Sequence, residues 1–381
     1  MTQSAGSVPL QGCRIAILGT RGIPARYGGF ETFAEQLSVR LVQLGCEVTV
    51  YAEADHHGES SRIWQGVRVQ PIAVPRWGAA SVIGYDLRCL WDARRRFDLV
   101  YMLGYGAAFA CALPRLYGIP VWINVDGLEW ARSKWSWMAR RYLRTMEWVA
   151  SWSATRVIAD AEVIAQRFRQ LYPRGAVCSY VAYGAPLVPY AERPLVMDGM
   201  ASEPYFLVVA RLEPENHVLD ILQGHRLYRQ QGGAVPLLIV GDHTRHTAYC
   251  AELQVCAGEG VQFLGAIHDQ TRLQALRVGA LAYLHGHSVG GTNPSLLEAL
   301  GCASLVVAHD NPFNREVLGA HADYFQDPQD LAASLHALTR LPAQVLEDRR
   351  QAAHRIIAER YTWEHITHEY QQLLFADTRH N

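Results

Sequence analysis

The sequence predicts an α/β protein built from two Rossmann-like α/β/α domains that face a cleft. Three observations carry that expectation. Short apolar runs alternate with helically periodic stretches from end to end. The alternation pauses once, in a proline-bearing segment near residue 190. The chain has 381 residues, more than one small core organises. Sheets of this kind bind ligands outside the carboxyl ends of their strands.

The first strand is read at Arg14–Leu18. After it comes a loop, and then a helix whose Phe30, Phe33, Ala34, Leu37, Leu41 and Leu44 follow helical spacing until Gly45 stops it. Further strands are expected at Val48–Ala52, Val67–Ala73, Leu99–Leu103, Val121–Val125 and Arg156–Ala159. Residues 184–203 read as a linker, dividing a domain of residues 1–185 from one of residues 203–381, whose last helix is free to pack back on domain one. The second series runs through Tyr205–Ala210, Leu237–Val240, Val261–Leu264, Leu281–Leu284 and Leu305–Ala308, each followed by a helical stretch.

Composition narrows the function. A net charge of -1 leaves no broad footprint for nucleic acid, although sixteen histidines raise the charge below neutral pH. Eight cysteines form no C-x-x-C pair, which fits free thiols in a reducing cytosol. The start, MTQSAGSVPLQG, lacks a basic region and an apolar run, so a signal peptide is not expected, and no apolar stretch is long enough to span a bilayer. The expected location is cytoplasmic.

Three segments carry chemistry. "GTRGIPARYGG", Gly19–Gly29, lacks the G-x-G-x-x-G spacing of a dinucleotide fold. Its glycines either turn a loop, or bring the Gly28-Gly29 backbone and the helix start at Phe30 to a phosphate or sugar. "HGHSVGGTNPSLLEALG", His285–Gly301, follows a strand. Its Gly290 and Gly291 allow close approach, Asn293 is suited to cap the next helix, and Pro294 to open it. Glu298 is placed either to accept hydrogen bonds from a ribose or as a surface charge. "VVARLEPENH", Val208–His217, sets Arg211 just past a strand, where a guanidinium forks onto phosphate or pairs with Glu213 or Glu215.

Together with "ILGTRGIPARYGGFETFAEQL" and "NVDGLEWARSKW", these segments resemble the GT-B glycosyltransferases of family 4, and within them bacterial capsule and exopolysaccharide rhamnosyltransferases. The resemblance covers nearly the whole chain. It implies that Gly28 and Gly29 lie near the donor phosphates, that Arg211 binds the diphosphate and that Glu298 binds the ribose. Gly241 and the backbone near Ile267 would hold the base. The sequence departs from the family twice: Asn216 stands where a Lys is usual, and Gly290 where many members have a Glu. Gly290, Gly291, Thr292 and Asn293 would take over part of that work. Asp126, after the Val121–Val125 strand, is the candidate contact to donor sugar or acceptor, or else a helix cap.

The resemblance further implies a retaining reaction, with no cofactor beyond the nucleotide-sugar donor. No D-x-D pair occurs, in keeping with metal independence. The segment Glu129–Trp152 mixes Trp130, Trp135, Trp137, Trp148 and Trp152 with Arg132, Lys134, Arg140, Arg141 and Arg144. Such a mixture suits a membrane surface bearing a lipid-linked saccharide acceptor, or an ordinary helix with a basic outer face. The expected activity is rhamnosyl transfer from dTDP-rhamnose. Alternatives are UDP- or GDP-dependent glucosyl, mannosyl or N-acetylhexosaminyl transfer, a sugar phosphorylase, and a non-catalytic sugar-nucleotide sensor.

Overall fold

The computed structural model describes residues 10–25, 28–125, 127–132, 134–190, 203–244 and 247–378. The chain forms two compact units. The first holds Met1–Trp130, Trp135–Ala182 and Ile366–Asn381; the second holds Ala131–Lys134 and Tyr183–His365.

Among the described residues, the first unit has one sheet of β1 (Arg14–Leu18), β2 (Glu47–Glu53), β3 (Arg62–Trp64), β4 (Val67–Ile72), β5 (Leu99–Leu103), β6 (Val121–Val125), β7 (Arg156–Ala159) and β8 (Val177–Tyr180). The order is β3-β4-β2-β1-β5-β6-β7-β8. Every pairing is parallel except β3 with β4. The inner strands β5 and β6 are buried along their whole length, as expected of a parallel sheet covered on both faces. The helix Gly29–Gln43 buries Phe33, Ala34, Leu37 and Leu41. At the other end of the chain, the helix Trp363–Thr378 sends Tyr370 into this unit, where its hydroxyl meets Tyr101 Oη at 2.8 Å. Asp377 closes the same helix down by accepting from Trp122 Nε1 at 2.7 Å and Arg156 Nε at 2.9 Å.

The second unit pairs β9 (Phe206–Val209), β10 (Leu237–Val240), β11 (Val261–Gly265), β12 (Ala282–His285), β13 (Val306–His309) and β14 (Asp323–Phe325), all in parallel. Their order is β11-β10-β9-β12-β13-β14. Leu237 pairs with Phe206, and Tyr283 with Leu207, so β9 lies between β10 and β12. The chain winds away from β9 in both directions. The carboxyl ends of β9 and β12 are therefore the switch point where such a sheet opens a crevice.

Residues 191–202 of the expected linker lie outside the described residues. Its first part is seated on the second unit: Ala185 N donates to Tyr361 O at 2.8 Å, and Val188 N to Gly301 O at 3.0 Å. Among the described residues no helix is long and apolar enough to cross a membrane. The eight cysteines form no disulfide.

Candidate functional site

The turn after β9 contains a short 3-10 segment, Pro214–Asn216, and is held by Asn216. This side chain is buried; its Nδ2 donates to Arg211 O at 2.7 Å and its Oδ1 accepts from His287 Nδ1 at 2.7 Å. Arg211 points outward with its side chain 49% exposed, and its ion-pair partner, Glu213, is 3.7 Å away. So long a contact to a half-exposed guanidinium leaves most of its charge for a ligand. Asn216, which stands where the family usually has a lysine, fixes the backbone from which Arg211 projects.

The turn after β12 comes against the first one. A Cβ on Gly286 would lie 2.0 Å from Asn216 O, so only glycine permits that approach. Ser288 N donates to Glu215 O at 3.0 Å, and His217 Nε2 lies 3.0 Å from Ser288 Oγ. Asn311 and Asn314 clamp the far side, each donating from Nδ2 to His287 O, at 3.0 and 3.1 Å. His285 is buried beside this turn, and burial, helped by His309, pushes its pKa down to about 3. Burial also holds His287 well below the usual histidine range, with His285 adding to the effect. Both imidazoles are neutral at physiological pH.

Gly290 has φ +142°, a backbone conformation that favours glycine. Gly290, Gly291 and Thr292 are buried and lead into the helix Pro294–Gly301. Asn293 caps that helix, its side chain accepting from Ser295 N at 2.9 Å, and Pro294 opens it. The carboxylate of Glu298 is neither free nor a mere surface charge. Its Oε2 pairs with Arg277 Nη2 at 2.5 Å, and the Arg277 side chain is only 4% exposed. Arg277 belongs to the preceding helix, Gln270–Gly279, and sequence reasoning missed it. Gly241 and Ile267 follow β10 and β11: Gly241 N donates to Gly265 O at 3.0 Å, and Ile267 packs partly buried on the Tyr205–Leu207 cluster. Arg211, Asn216 and Gly290–Asn293 thus gather at the β9–β12 switch point, with Gly241 and Ile267 at the ends of the neighbouring strands.

In the first unit the glycine loop is organised by carboxylates. Gly28 is the N-cap at φ 87°, and the helix starts at Gly29, one residue earlier than expected. Glu31 Oε1 accepts from Arg21 N at 3.1 Å, and Glu35 Oε2 from Ala25 N at 2.6 Å. A Cβ on Gly28 would lie 2.5 Å from Glu31 Oε2, so a carboxylate already faces this helix start. Asp126 lies outside the described residues.

The tryptophan-rich segment divides into two parts. Trp130 and Trp135 are half-buried, their Nε1 atoms donating to Glu147 at 2.7 Å and Glu129 at 3.0 Å. Trp137, Met138, Trp148 and Trp152 are exposed on the helix Trp137–Ser153, together with Arg140, Arg141 and Arg144. Leu116 and Tyr117 are exposed too, and the neighbouring Arg115 donates to Trp152 O at 2.6 Å. Among the described residues no group of His, Cys, Asp or Glu is arranged to hold a metal ion.

Residues 200–363 match the family Glycosyl transferases group 1, a span that includes every residue just described at the β9–β12 switch point. The second unit is a glycosyltransferase group 1 domain. Residues 13–186 match a domain of unknown function, DUF1972. Sucrose-phosphate synthase from Thermosynechococcus elongatus superposes with a TM-score of 0.81 at 16% identity, covering 97% of this chain and 100% of that one. HepE of Anabaena, solved with UDP and glucose, gives 0.72 at 17% identity, covering 96% and 100%. A UDP-forming trehalose-phosphate synthase from Burkholderia vietnamiensis gives 0.70 at 13%, covering 97% and 100%. No curated protein matches the chain. At such identities the likeness is one of fold, and the fold is GT-B. The glycosyltransferase group 1 domain therefore presents an outward Arg211, a glycine-rich turn and a capped helix start at its switch point.

Proposed function

We infer that the chain is a retaining, metal-independent glycosyltransferase that moves a rhamnosyl group from dTDP-rhamnose to a lipid-linked saccharide at the cytoplasmic face of a membrane. The observation that carries sugar transfer is the placement of the half-exposed Arg211 guanidinium at the β9–β12 switch point of the group 1 domain. As the sugar bond breaks, negative charge grows on the departing diphosphate. Arg211 and the amides leading into the helix at Pro294 are the groups placed to meet it without a divalent ion. With no evident nucleophile, the acceptor hydroxyl would attack the anomeric carbon on the face the leaving group departs from, its proton passing to the departing phosphate as the bond from sugar to diphosphate breaks. The Asn293 side chain, held by Ser295 N, orients that helix start. Glu298 would use its remaining oxygen for the ribose, and Gly241 and Ile267 would border the base. Asp126 is assigned to the donor sugar or acceptor, and Gly28 and Gly29 to the donor's edge.

The exposed Trp137, Trp148 and Trp152 with Arg140, Arg141 and Arg144 support docking on anionic lipid. The resemblance to rhamnosyltransferases supports the sugar. A second reading, glucosyl transfer from a UDP-sugar, is supported by fold neighbours that form UDP or were solved with UDP and glucose. The test is a nucleotide-release assay across dTDP-rhamnose, UDP-glucose and GDP-mannose with a lipid-linked acceptor extract. Release from dTDP-rhamnose supports the first reading, and release from UDP-glucose the second. Binding without release identifies a sensor.

A further inference from the structure

Three side chains at the β9–β12 switch point stand in line with one another. His217 precedes the helix Val218–Gln230 and Asp220 lies in its first turn, so helical spacing sets the carboxylate beside the ring. Asp220 Oδ2 is 2.7 Å from His217 Nδ1, and His217 Nε2 is 3.0 Å from Ser288 Oγ in the turn after β12. A carboxylate only accepts, so in the neutral ring the proton sits on Nδ1 and the Nε2 lone pair faces the serine. The ring of His309 stacks on that of His217, with centroids 4.1 Å apart, and holds its plane. His217 is kept at φ +47°, a left-handed conformation that is costly for a residue with a Cβ. The side chains of His217 and Asp220 remain 27% and 34% exposed, and Ser288 is half-buried, so the line is open to a ligand.

A carboxylate, an imidazole and a hydroxyl in this order activate a serine. The surrounding sequence, Gly286-His287-Ser288-Val289-Gly290, runs from strand towards helix in the G-x-S-x-G pattern. Ser288 lacks the left-handed backbone of a nucleophile elbow; here the strained residue is the base. Ser288 Oγ also lies 3.1 Å from Glu215 O, but Ser288 N already supplies that carbonyl at 3.0 Å, so the hydroxyl proton can turn to Nε2 without stranding it. The amide after a nucleophilic serine is the usual oxyanion donor, and Val289 N donates to no backbone carbonyl among the described residues. A glycosyl centre calls for a carboxylate nucleophile, whereas an acyl carbon suits a serine. We propose that Ser288, His217 and Asp220 form a second catalytic site, one that hydrolyses carboxylic esters. Ser288 Oγ bonds to the acyl carbon as its proton passes to His217 Nε2. The ester C–O bond breaks and the alcohol leaves with that proton. Water then attacks the acyl-serine, gives a proton back to Ser288 Oγ through His217, and frees the acid. Asp220 is a positioning residue that holds the ring tautomer.

The probes are a fluorophosphonate, which labels activated serines whatever acyl group they take, and p-nitrophenyl acetate, both applied to the full chain. The expected adduct maps to Ser288 by peptide mass spectrometry. Ser288→Ala removes the adduct and slows ester hydrolysis by about a hundredfold or more, and His217→Gln slows both reactions to a similar extent. Asp220→Asn permits the wrong tautomer, so it slows labelling while the KI of the fluorophosphonate stays within about twofold. The adduct on the unaltered chain carries the test if a variant does not fold. A chain that takes no label, a label on another residue, or equal hydrolysis by Ser288→Ala overturns the assignment. Each of these outcomes leaves the nucleotide-sugar reading intact, since nucleotide release is measured separately.

Discussion

Replacing Glu298 should injure the fold before it injures the donor site, because the carboxylate neutralises a buried cation. The Arg277 side chain is 4% exposed and Glu298 22%. Arg277 Nε has no hydrogen-bond partner, so the guanidinium depends on Glu298 and on a 3.4 Å contact to Ser295 Oγ. Removing one member of so enclosed a pair leaves a desolvated charge, at a cost of about 3 kcal/mol. Glu298→Ala should lose about that much. Arg277→Met should lose roughly 1 kcal/mol, since Glu298 reaches enough water to rehydrate. The double variant should return to within about 1 kcal/mol of the parent, a coupling of roughly 2–3 kcal/mol. Hydrogen exchange resolved to peptides from Gln270–Gly279 and Pro294–Gly301 reads this locally, which matters because a chain of two units need not unfold in one step. Glu298→Gln keeps the size and an acceptor for Arg277 but loses the counter-charge, so it should lose less stability than Glu298→Ala, and the folded fraction should show a raised donor KM with a smaller loss of kcat. If Glu298→Ala exchanges like the parent, the pair is not the buried contact described and the reasoning fails.

Other outcomes follow from the same geometry. Arg211→Ala should lower kcat by about a hundredfold while nucleotide affinity falls far less, measured by steady-state kinetics. Activity should persist in EDTA without added metal; dependence on magnesium would refute the leaving-group account. Replacing Arg140, Arg141 and Arg144 together with Ala should release the chain from anionic vesicles in co-sedimentation, each arginine near the surface contributing about 1 kcal/mol. Acid should destabilise the second unit. His285 holds its pKa at about 3 in the fold, so as pH falls below about 6.5 the unfolded chain binds a proton that the fold refuses. Stability should then decline by up to about 1.4 kcal/mol per pH unit. His285→Phe should flatten that slope in urea titrations at pH 5–7.

Periodicity and strand chemistry made most of the sheet legible in the sequence. β5, β6, β7 and β10 lie where apolar β-branched runs place them, since buried parallel strands are written almost wholly in such residues. β3, β8 and β14 escaped notice: they span three or four residues each, too few to show a period. The site was legible where a local rule governs it. Asn293 and Pro294 form a cap because capping depends on neighbours in sequence. The partners of Glu298 and His287 were not legible. Arg277 comes from another helix and Asn216 from another turn, and only the strand order β9–β12 brings them together. Glu31 and Glu35 carry no local signal that sets them apart from other helical acids, yet their contacts to Arg21 N and Ala25 N set the shape of the glycine loop.

The central claim is that the β9–β12 switch point of the group 1 domain grips a sugar nucleotide by its diphosphate through Arg211 and drives its cleavage. Nucleotide release from the preferred donor, measured for the full chain and for Arg211→Ala at saturating donor, tests it most directly. The account predicts release by the parent and about a hundredfold slower release by the variant, with donor binding largely preserved. Equal saturated rates for the two proteins would contradict it.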